Sequence, residues 1–85
     1  MRDELLAKQL GAIIRHLRLE RKMSQEEFAE RCDLHRTYIG SIERGEKTIT
    51  IETASKIAKA LKVPLSQLLL QLEAEQSSKD DDNRS

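Results

Sequence analysis

The side chains best equipped for chemistry cluster in one stretch, LHRTYIGSIERG, at residues 34–45. If this stretch is a helix, Ile39 and Ile42, three apart, mark the inward face. The opposite face then carries Thr37, Gly40, Ser41 and Arg44, with Arg36 and Tyr38 on its flanks. That face offers hydroxyls, a flat ring and a guanidinium towards each end, and Glu43 falls near the inner face instead. Donors and acceptors of this kind on a slim helix match what base edges present in a DNA major groove. Gly40 adds a place where backbone can approach a second molecule closely.

Other chemistries find little support. His16 and His35 are not spaced with Cys32 or with an acid cluster as metal ligands would be, so no metal site is expected. There is no nucleophile–base pair and no glycine loop able to cradle a phosphate, so neither an enzyme nor a cofactor is expected. Cys32 is the only cysteine, which excludes an internal disulfide. Beside Phe28 and Ala29 it reads as a buried thiol in a reducing compartment.

Five helices would position the stretch. The first spans about Asp3 to Arg21, where Leu6, Leu10, Ile13, Ile14 and Leu17 form one apolar stripe. Gly11 lies inside it at a cost of about 1 kcal/mol relative to Ala, which close approach of a neighbouring helix would offset. The second opens at SQEE, where Ser24 and Glu27 form a capping box, and stops near Asp33. The third ends at Gly45 as a left-handed cap. Thr50 caps a fourth, about Ile51 to Lys62, with Ala54, Ile57, Ala58 and Leu61 on one face. Pro64 opens a fifth, where Leu65, Leu68, Leu69 and Leu72 share a face and Leu70 points away.

With 85 residues, one small domain is the expectation. The formal net charge is zero, but it is unevenly placed. Residues 73–85 hold five acids and two bases, net −3, and residues 1–72 hold ten acids and thirteen bases, net +3. The sequence therefore reads as a mildly basic folded domain over 1–72 and an acidic, disordered tail over 73–85. No apolar run approaches the ~20 residues of a membrane span. MRDELLAKQL lacks a signal-peptide pattern, so a cytoplasmic protein is expected.

Two short helices joined by a tight turn make a helix-turn-helix. The run SQEEFAERCDLHRTYIGSIERG resembles that of the phage-repressor/Cro type, the XRE-like family. LGAIIRHLR before it and ASKIAKALKVPLSQLL after it look like the family's first, fourth and fifth helices, so the resemblance covers roughly residues 8–72. LHRTYI followed by IERG is particularly similar to controller proteins of restriction–modification systems. The fold implied is all-α, a five-helix lambda-repressor-like DNA-binding domain.

The resemblance implies roles residue by residue. Arg36, Thr37 and Ser41 match positions facing base edges, and Tyr38 one that packs on backbone or bases. Gln25 matches a glutamine that hydrogen-bonds a phosphate. Arg44 and Lys47 lie where phosphate contacts are expected, and His35 can add another while it begins helix three. Arg18 and Glu43 match a buried ion pair tying helix one to helix three. Asp33 stands where the family usually has glycine, which calls for a left-handed Asp. Ile51 stands where some relatives carry a basic residue near the minor groove, so reading from there is not expected.

Plainer roles compete for several of these. Thr37 can cap the first turn of helix three, Tyr38 can be ordinary packing over helix two, and Ser41 can be an inert surface residue. The function expected is sequence-specific binding of double-stranded DNA by a homodimeric transcriptional regulator on a palindromic site. Leu70, with Leu69 and Leu72, would form the dimer interface. The alternatives are an antitoxin or phage-type repressor whose acidic tail holds a protein partner, and a protein-interaction adaptor without DNA binding. An adaptor should show acids or aliphatics on the outer face of helix three.

Overall fold

In the computed structural model the three inner helices each begin and end on a residue suited to the task. The structure describes residues 4–84, and the side chains of residues 4–76. The helices are α1 (Glu4–Glu20), α2 (Gln25–Cys32), α3 (Arg36–Glu43), α4 (Ile51–Leu61) and α5 (Leu65–Arg84). Asp3, where the sequence pattern starts the first helix, lies outside the described residues.

The Ser24 hydroxyl accepts the Glu27 amide at 3.0 Å and so opens α2. The reciprocal half of the capping box does not form: the Glu27 carboxylate turns to Arg31, one helical turn on, at 3.2 Å. A cation four residues along attracts a carboxylate that a neutral amide would otherwise hold. Asp33 closes α2 at φ 59° and ψ 44°, the left-handed geometry expected of it. Thr50 caps α4 by accepting from the Thr53 amide, and Lys62 ends it in a second left-handed cap. Gly45, at φ 76°, turns the chain out of α3.

α1 packs on α3 and α5, α2 on α3 and α4, and α4 on α5. The core they enclose centres on Ile14, Phe28, Cys32, Ile39, Ile57, Leu61 and Leu68, each at most 2% exposed. Leu6 is a departure from the apolar stripe of α1, since it is 40% exposed. It stands near the helix's start, ahead of the turns that face α3, and the buried stripe runs through Ile14 and Leu17 instead.

Gly11 explains how α3 is held. A Cβ there would lie 2.3 Å from the Ile42 carbonyl oxygen and 2.8 Å from that of Glu43. The C-terminal end of α3 therefore rests on bare backbone of α1, which is the close approach the buried glycine required.

α5 runs further than its apolar pattern. The leucine face ends at Leu72, yet the backbone stays helical through Arg84. Ala, Glu, Gln and Lys propagate a helix readily once a packed segment has nucleated it. The Gln76 amide also donates to Gln9 of α1, which ties α5 to the core beyond position 73. The side chains of residues 77–85, which carry most of the tail's acids, lie outside the described residues. Among the described residues no helix is long and apolar enough to cross a membrane.

Candidate nucleic-acid interface

α3 is anchored from behind. Ile39 and Ile42 are 0% and 2% exposed, while Arg36 and Thr37 at its first turn lie open to solvent. Tyr38, on the flank, is half-buried and packs against the core cluster, so its ring is partly structural.

His35 is the N-cap of α3. Its Nδ1 accepts the Thr37 amide at 3.2 Å. An imidazole that accepts at Nδ1 carries its proton on Nε2, so the outward ring nitrogen is a donor. The cap is thus histidine's, which leaves the Thr37 hydroxyl unspent on capping.

Ser41 requires a correction. It was expected on the outer face, but it is 7% exposed and its hydroxyl donates to the Tyr38 carbonyl at 2.8 Å. A hydroxyl one atom beyond Cβ reaches its own helix backbone easily and then stays below its larger neighbours. Gly40 is likewise covered. The position its missing Cβ would take lies 3.2 Å from Arg44 Nη1 and 3.8 Å from Gln25 Oε1, so the protein's own side chains use that space.

Behind α3 sits a buried polar network. Arg18 grips Glu43 through two bonds, Nε to Oε2 at 2.7 Å and Nη2 to Oε1 at 3.0 Å. Its remaining nitrogen, Nη1, donates to the Met23 carbonyl at 2.7 Å. Glu43 also accepts from Gln25 Nε2 at 3.0 Å. A carboxylate can only accept, so this bond settles which end of the Gln25 amide faces inward. Its second N–H is not used in this bond and sits at the start of α2.

The link from Glu43 to Gln25 was not anticipated from the sequence. The two stand 18 positions apart, and no local spacing rule joins them. Arg44 and Glu46, two positions apart, pair across the Gly45 turn at 2.8 and 3.2 Å, a spacing that no helix or strand rule joins either. Lys47 is exposed.

On α5, Leu70 is 63% and Leu69 41% exposed, and Leu72 is half-buried. Leu69 and Leu70 therefore leave apolar surface uncovered, whereas Leu72 is largely spent on the fold.

The helix-turn-helix family model matches residues 14–68, a span that contains α2, the Asp33 turn and α3 entire. The chain belongs to this family, in its XRE-type branch. It is 48% identical over 60 residues to control protein C.BamHI of Bacillus amyloliquefaciens, covering 69% of this chain and 74% of that one. It is 45% identical over 60 residues to control protein C.SmaI of Serratia marcescens, covering 71% of each. Among solved structures it resembles the restriction-modification controller protein C.AhdI of Aeromonas hydrophila. There the TM-score is 0.70 at 35% identity, over 74% of this chain and 94% of that one.

Proposed function

We propose that this chain is a sequence-specific regulator of transcription that binds double-stranded DNA as a homodimer and acts as a restriction–modification controller. The observation that carries the reading is the orientation of α3. Its isoleucines are buried, while Arg36 and Thr37 stand exposed at the end that would enter a major groove. Arg36 can read a guanine through a bidentate contact and Thr37 can bond a base edge, each good bidentate pair giving about 1–3 kcal/mol of discrimination. Tyr38 adds its ring edge from a half-buried seat. Gln25, His35, Arg44 and Lys47 supply phosphate contacts, which set register and salt dependence but carry no sequence information. Ser41, closed off, has no part in base reading.

One recognition helix reads only a few base pairs, and two spaced about 34 Å apart read a palindrome. The uncovered leucines of α5 support such a pair. A regulator that must dimerise before binding responds steeply to its own concentration, and that suits a timing role. The relatives' names as control proteins support the same reading. An adaptor is disfavoured, since the exposed first turn of α3 presents a cation and a hydroxyl rather than acids or aliphatics.

The test is selection of bound duplexes from a random pool at a stated salt concentration, followed by Arg36→Ala on the selected site. A two-fold-symmetric consensus is expected, and Arg36→Ala should flatten preference at one base pair of each half-site. Equal losses on selected and random duplex would count against base reading by Arg36.

A further inference from the structure

Arg44 lies on the outer side of α3, away from Ile39 and Ile42. Its Nη1 is 3.2 Å from the place a Gly40 Cβ would occupy, next to the amide of Gln25. A guanidinium there stands beside the residue that opens α2, where a duplex phosphate would arrive. Yet the Nε–Nη2 edge of its fork is already filled. Nε donates to one oxygen of Glu46 at 2.8 Å and Nη2 to the other at 3.2 Å. A planar fork gripping two oxygens is also how arginine holds a phosphate.

Glu46 does not reach this position by chance flexing of the loop. Its own N–H donates to the Ser41 carbonyl at 2.9 Å, directly after Gly45 turns at φ 76°. The turn that ends α3 therefore folds the carboxylate back onto the helix. The bond it donates to Glu46 raises the Arg44 guanidinium above its ordinary value. In return, the bond from Arg44 lowers the Glu46 carboxyl, so the pair is fully ionised at neutral pH.

We propose that Glu46 is a built-in competitor for phosphate at Arg44, a residue that sets how tightly the chain holds any duplex. The inference rests on the DNA-binding reading above. A phosphate that takes this edge of Arg44 must displace two charge-assisted hydrogen bonds, and one that settles on Nη1 instead meets the Glu46 carboxylate close beside it. Both effects oppose binding. They act on the sequence-independent part of the affinity, which phosphate contacts dominate. Because the pair is solvent-exposed, the brake is modest, about three- to five-fold in affinity.

A double-mutant cycle on the full chain tests it, with binding to the selected duplex and to a random duplex of equal length read by fluorescence anisotropy at one salt concentration. The side chains are 59% and 55% exposed, so neither substitution should disturb folding, and circular dichroism checks this. Glu46→Gln should tighten both duplexes about three- to five-fold, and in the Arg44→Ala background that gain should largely vanish. A gain of the same size without Arg44 would mean that lost negative charge alone is at work, and the competitor idea would fail. Weaker binding by Glu46→Gln would also overturn it, since Glu46 would then be orienting Arg44 for the phosphate. A wild-type chain that holds no duplex would sink the DNA reading and this inference with it.

Discussion

The carbonyl oxygen of Ile42 occupies the space that a side chain on Gly11 would need, only 2.3 Å from where its Cβ would be. The recognition helix is thus seated backbone against backbone on α1. Gly11→Ala is favourable by about 1 kcal/mol in an isolated helix. Here the clash is with backbone rather than with a flexible side-chain end, and it forces α1 and α3 apart. A net loss of about 1–3 kcal/mol in urea unfolding is expected, with operator affinity falling as α3 shifts. A variant at least as stable as wild type would show that the helices can re-seat.

Much of this arrangement was legible in the sequence because it depends on local rules. Ser24, Asp33, Gly45 and Thr50 announce their helix ends through side-chain reach and backbone conformation, and each stands at the boundary it marks. The isoleucine spacing in α3 correctly gave its inward face. What failed depends on neighbours remote in sequence or on small differences in reach. Periodicity puts Ser41 on the outer face but is blind to a hydroxyl bonding back to its own helix. Composition marks residues 73–85 as polar but does not register that α5, once packed, carries its helix onward. No spacing rule joins Gln25 to Glu43 or Arg44 to Glu46, because a turn and a tertiary packing bring each pair together.

Glu43 makes its case through partners on two helices. With its side chain 2% exposed it neutralises Arg18 and orients Gln25. Glu43→Leu leaves the Arg18 guanidinium buried without a counter-charge, at an expected cost of about 3–5 kcal/mol. Replacing both partners, Arg18→Met with Glu43→Leu, should cost much less than either single change, because no orphan charge remains. Denaturant titrations of the three variants check this, and additive losses would show the pair to be energetically independent.

Asp33 holds a left-handed backbone at φ 59° in the turn between α2 and α3. A non-glycine residue there suffers Cβ crowding of about 1–2 kcal/mol, which aspartate relieves only in part. Asp33→Gly removes that crowding and costs some unfolded-state entropy, leaving a gain of about 0.5–1 kcal/mol. For a chain of this size the melting temperature should rise by about 2–8 °C. A lower melting temperature would mean that the Asp33 carboxylate has a stabilising role that the fold does not display.

Burial raises the Cys32 thiol from an ordinary value of 9.0 to about 11. The folded state keeps its proton where the unfolded chain has lost it. The stabilising contribution is therefore complete below about pH 9 and is lost as pH rises from there to about 11. The difference in unfolding free energy between wild type and Cys32→Ala should shrink over that interval, by at most about 2–3 kcal/mol. A constant difference from pH 8 to pH 11 would show that the thiol ionises as readily folded as unfolded. The same burial should keep thiol reagents from Cys32 until the core opens.

Leu70 leaves 63% of its surface uncovered one residue beyond Leu69, itself 41% exposed, on a helix whose Leu65 and Leu68 pack into the core. A contact between two copies of α5 about a two-fold axis would cover both, and charge at its centre would oppose it. Leu70→Lys should move sedimentation equilibrium towards the monomer while leaving the helical circular dichroism of the monomer intact. Because two half-sites are held together, losing the dimer should weaken operator binding by orders of magnitude, whereas Arg36→Ala chiefly alters preference. If Leu70→Lys remains dimeric, the interface lies on another surface, and exposed Leu5, Leu19 and Ile51 become the positions to charge next.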